Sequence, residues 1–105
     1  MTNLIKTVYI AGKVTGCDII KTRKKFGMAE NILFRKGYHV INPLKLAPPE
    51  STWREAMQIC INHLFSADYI YLLPDWKDSK GAKVEHFLAG KLGIEVLKVK
   101  ELEVV

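Results

Sequence analysis

The sequence predicts a three-layer α/β domain, a Rossmann-like or flavodoxin-like fold around a four-stranded parallel sheet of order 2-1-3-4, with a fifth strand allowed for. Three observations predict it. Short apolar runs alternate with longer segments of 3.6-residue periodicity. The runs are continuously apolar, as in strands buried on both faces, and right-handed crossovers place helices over each side of such a sheet. No repeat, low-complexity tract or linker divides the 105 residues, so one domain holds residues 1–105.

The elements follow in order. "TVYIAG" is the first strand. Asp18 to Lys36 is the first helix, closed by Gly37, with Phe26, Ala29 and Leu33 on its inner face. "YHVIN" is the second strand. The three prolines of "PLKLAPPES" exclude regular structure, and the second helix begins at a capping box of Thr52 and Glu55. Trp53, Met57, Cys60, Ile61 and Leu64 then form its stripe, which predicts that Trp53 is a core residue. "DYIYLL" is the third strand, Ser79 opens the third helix, and "IEVLKV" is the fourth strand.

Composition bounds the function. A 49% hydrophobic and 26% charged chain is globular rather than disordered. No apolar run approaches the roughly 18 residues of a membrane helix, and the first residues lack a signal peptide's apolar region, so a cytoplasmic protein without membrane contact is expected. Cys17, Cys60 and the three histidines show no ligand spacing, so neither metal nor cofactor is expected. The net charge of +5 permits an anionic partner. Its densest cluster, Lys21, Arg23, Lys24 and Lys25, wraps around a helix without interleaved aromatics and reads as a solvated face rather than a nucleic-acid site.

In open parallel sheets ligands bind beyond the carboxyl ends of the strands, where strand order reverses. That crevice lies between strands one and three, framed by the loops after Ala11 and Leu73. Glu85 belongs to it. On the third helix the apolar arc runs through Val84, Leu88, Leu92, Ala89 and Ala82, with Glu85 near its middle. A carboxylate there needs a partner or a wet crevice. Gly12 and Gly16 allow close backbone approach, Lys13 and Thr15 offer a cation and a hydroxyl, and Ser79 and Gly81 mark a helix start that favours an anion. Asn42, ending the second strand, joins this candidate binding set. Trp76 is the tryptophan expected to stack on a base. Tyr9 projects from strand one, and its hydroxyl needs a polar partner such as a carboxylate across the crevice.

The blocks "VYIAGKVTG", "ADYIYLLPDW" and "SKGAKVEHFLAGKLGIEV" resemble the nucleoside 2-deoxyribosyltransferase-like superfamily, above all a branch of small phage and bacterial proteins of unassigned function. The resemblance implies cleavage or exchange of the N-glycosidic bond of a nucleoside or nucleoside 5'-monophosphate. Glu85 would attack the anomeric carbon, Tyr9 would position it, Ser79 would help hold a 5'-phosphate, and the Gly12 to Gly16 loop would lie along the substrate. It also implies a homo-oligomer, a dimer or larger. Active relatives carry an aspartate where Cys60 stands, to handle the leaving base or water. Asp75, after strand three, is the candidate substitute. A nucleophilic Glu85 must be ionised, and the helix N-terminus and Tyr9 are expected to keep it so. The rival readings are a non-catalytic nucleotide-binding module and a basic domain binding nucleic acid or protein through Lys21 to Lys25.

Overall fold

The computed structural model describes residues 4–100. The elements are β1 (Thr7–Ala11), α1 (Ile19–Arg35), β2 (His39–Ile41), α2 (Trp53–Leu64), β3 (Tyr69–Leu72), α3 (Lys80–Leu92) and β4 (Glu95–Val96). Single 3-10 turns at Pro43–Lys45 and Trp76–Asp78 precede α2 and α3. The strands form one parallel sheet in the order β2-β1-β3-β4. No helix among the described residues is long and apolar enough to cross a membrane.

The alternation of side chains along β1 divides the core in two. Val8 and Ile10, with Tyr71 and Leu73, meet Phe26, Ala29 and Leu33 of α1 on one face. Tyr9 and Ala11, with Ile70, meet Cys60 and Leu64 of α2 and Ala82 and Ala89 of α3 on the other. Both faces of β1 are therefore dry, which is why its sequence is apolar throughout.

Each helix starts at a side-chain cap. Asp18 accepts from the Lys21 N–H, and Thr52 and Glu55 form the reciprocal capping box. Ser79 accepts from the Ala82 N–H at 3.1 Å, and Gly93, in the left-handed region at φ 75°, ends α3.

The helical stripes overreach at two ends. Trp53, expected in the core, is 44% exposed, and Leu92 is exposed as well. Trp53 occupies the first turn of α2, where it lines a cleft with its indole nitrogen beside Gly81 instead of joining the core under the sheet. The edge strands are also shorter than the apolar runs suggest: β2 has three residues and β4 two.

Gly12 closes the turn after β1 against the core. A Cβ there would lie 2.6 Å from Leu73 Cδ1 and 2.9 Å from Leu73 Cβ. Leu73 Cβ is fixed to the backbone and cannot be moved by a change of rotamer. Gly12→Ala is therefore expected to cost about 1–3 kcal/mol as overpacking. Urea unfolding checks this, and an unchanged midpoint would mean that the β1–β3 junction is looser than described.

Candidate functional site

β1 carries Tyr9 towards the α2/α3 face, and α3 carries Glu85 in its second turn towards the same space. The Tyr9 hydroxyl donates to Glu85 Oε2 at 2.5 Å, spanning 76 residues of sequence. Tyr9 is wholly enclosed, and Glu85 is 6% exposed. Cys60 of α2, also buried, stands close enough to touch Tyr9 and to feel the charge of Glu85.

Glu85 opens on a cleft of about 350 Å³ beyond the carboxyl ends of the inner strands. That volume falls in the usual range of small-molecule sites, roughly 300–1,000 Å³. Gly12 and Thr15 of the first loop, Ser79 and Gly81 at the start of α3, and Cys60 line the cleft together with Glu85. Val14, Pro43, Leu44, Trp53, Ala56 and Met57 give the cleft an apolar lining, with Met57 and Trp53 set against Gly81. A polar annex of about 490 Å³ adjoins it through the shared residues Thr15, Trp53, Ser79 and Gly81, and adds Lys13, Asp78 and Lys80.

Burial dominates the electrostatics. It pushes the Glu85 carboxyl up to about 7, against the opposing pull of the Tyr9 hydrogen bond. Tyr9 favours the ionised form, as expected, but burial outweighs it, so at neutral pH Glu85 is not held as the anion in the way its role as nucleophile led us to expect. Burial and the Glu85 charge hold the Tyr9 hydroxyl far above its ordinary range, so it stays a donor. Burial also pushes the Cys60 thiol up, with the Glu85 charge adding to it and the Tyr9 contact opposing.

A family model described as a domain of unknown function, DUF4406, matches residues 6–98. The chain belongs to the DUF4406 family. No curated protein and no solved structure matches the sequence. The span shared with the family contains every residue of the cleft and its annex.

Within this DUF4406 domain the candidate residues separate into two groups. Glu85, Tyr9, Gly12, Thr15, Ser79 and Gly81 come together, with Lys13 in the annex. Asp75 does not join them. It pairs with Lys25 of α1 and accepts from the Lys13 N–H at 3.0 Å. It lines a different cavity, of about 340 Å³, with Lys21, Lys24 and Met28. Burial pushes its carboxyl up, but the Lys25 ammonium and the Lys13 amide outweigh this and hold it below the ordinary range. Lys25 also donates to the Lys13 carbonyl at 3.0 Å, so the loops after β1 and β3 are fastened to each other. In that arrangement Asp75 fastens the two loops and lies outside the lining of the cleft that holds Glu85.

Three further candidates fall outside the cleft of this DUF4406 chain. Asn42 is buried, donates to Glu30 at 3.0 Å and caps the turn at Leu44, so it shapes the segment that carries Pro43 and Leu44. Gly16 turns the exposed tip of the first loop at φ 80°. Trp76 packs on the core, with its ring 4.5 Å from that of His86. The tryptophan at the cleft is Trp53, the reverse of the expected assignment. A signal for it was present: in a parallel α/β sheet the helix that follows a strand starts on the side of the strands' carboxyl ends, where ligands bind, and Thr52, the cap of α2, directly precedes Trp53. Among the described residues no group of three or more His, Cys, Asp or Glu side chains could hold a metal ion.

Proposed function

We propose that this protein cleaves or exchanges the N-glycosidic bond of a nucleoside or nucleoside 5'-monophosphate, with Glu85 as nucleophile and Tyr9 orienting it. The observation that carries the proposal is the buried Tyr9–Glu85 hydrogen bond at the wall of a cleft of nucleoside size. The resemblance described above supports the same roles. The ionised Glu85 oxygen attacks C1' as the C1'–N bond breaks, and its negative charge stabilises the oxocarbenium character that develops on the sugar. Water or a second base then opens the glycosyl ester. The annex, with Lys13, Lys80 and the start of α3, suits a 5'-phosphate or hydroxyl, and Trp53 and Met57 suit the flat face of a base.

The test incubates the protein with nucleosides, deoxynucleosides and their 5'-monophosphates and follows free base by chromatography. Release that disappears in Glu85→Ala is the expected result. One observation favours a second reading, a nucleotide-binding module without turnover: Cys60 leaves Glu85 without a second carboxylate in the cleft. Calorimetric binding of a nucleotide without any release of base would establish that reading in place of the first.

A further inference from the structure

We infer that the substrate of this cleft is an N-glycoside whose base already carries a positive charge, an N-alkylated purine or a pyridinium, so that it departs neutral without taking up a proton. The inference rests on the N-glycosidic reading above and narrows it to a substrate class. It comes from what surrounds Glu85.

A neutral purine or pyrimidine leaves C1' readily only if an acid protonates it, and a positioned acid contributes roughly 10²–10⁴-fold. Among the described residues lining the cleft, the only ionisable side chains are Glu85 and Cys60. Glu85 must give up its own proton to act as nucleophile. The Tyr9 proton is committed to Glu85 at 2.5 Å, and the buried Cys60 thiol is a weaker acid than usual. Asp78 lines only the annex. Val14, Leu44, Ala56 and Met57, which also line the cleft, offer no proton.

One feature favours a cation. Glu85 is a buried carboxyl with no cationic partner among the described residues, so a positive ligand would complete a charge pair that the protein leaves open.

The chemistry balances without an acid. As Glu85 Oε bonds to C1', the electron pair of the C1'–N bond moves onto the ring nitrogen and cancels its positive charge. An anion and a cation become a neutral glycosyl ester and a neutral base. Water then adds its hydroxyl to C1', and its proton passes through the freed carboxylate to solvent, one proton for each base released.

The experiment compares 7-methylguanosine and nicotinamide riboside with guanosine and adenosine, and each with its 5'-monophosphate. Released base is quantified by chromatography after subtraction of spontaneous release. The expected result is a preference for the cationic compounds of roughly 10²–10⁴-fold, the share an acid would otherwise supply. One proton should appear per base, and release should be lost in Glu85→Gln, whose folding is checked by its thermal melt. Equal release from guanosine and adenosine would overturn the inference and leave the N-glycosidic reading standing. Release from none of the compounds would overturn both.

Discussion

Glu85→Gln is expected to reduce release of base by about 10⁴-fold or more, the scale of loss when the attacking group of a catalytic unit is removed. The amide keeps the shape of the side chain and still accepts from Tyr9, but it cannot form the glycosyl ester. In the unaltered protein the rate should rise with pH through about 7, because burial sets the ionisation of Glu85 there. The titratable groups facing it are Tyr9 from β1 and Cys60 from α2. Both are pushed upward and remain protonated as Glu85 titrates, so a single ascending limb is expected. A rate that is flat between pH 5 and 9, or a glutamine variant that retains turnover, would remove Glu85 from the reaction.

The same substitution should stabilise the fold in alkaline solution. In the unfolded chain Glu85 titrates near 4.5, and in the folded chain near about 7, so between those values the folded state holds the extra proton. Stability then falls as pH rises through this window, and above it the buried anion costs about 3 kcal/mol. Glutamine carries no such penalty. At pH 8.5 the variant is expected to exceed the unaltered protein by up to about that amount in urea unfolding, and at pH 4.5 to match it closely. Equal stabilities at pH 8.5 would show that the carboxylate is well solvated. The two results together would mark Glu85 as a residue retained at a cost in stability, as expected of a group kept for chemistry.

The parallel sheet was legible because apolar runs and amphipathic segments alternate, and the helix starts because Asp18, Thr52 and Ser79 are capping residues at the right spacing. Glu85 was legible for a local reason as well: a charge in the middle of an apolar arc demands a partner, and Tyr9 is that partner. What escaped depends on distance along the chain. Helical periodicity gives the face on which Trp53 lies but not where the neighbouring layer stops. The Lys25–Asp75 pair joins residues 50 apart, so it could not be distinguished from a solvated lysine and a turn aspartate. Of the four basic residues read as a solvated face, Lys21, Arg23 and Lys24 are exposed as expected, whereas Lys25 is half-buried in that pair.

The two outermost strands, with three and two residues against five and four for the inner pair, have a bearing on behaviour in concentrated solution. Backbone amides and carbonyls along an open margin are a template on which a foreign chain can add, and fibre growth starts from such templates. Among the described residues each margin offers at most three residues, too few for that kind of recruitment to take hold.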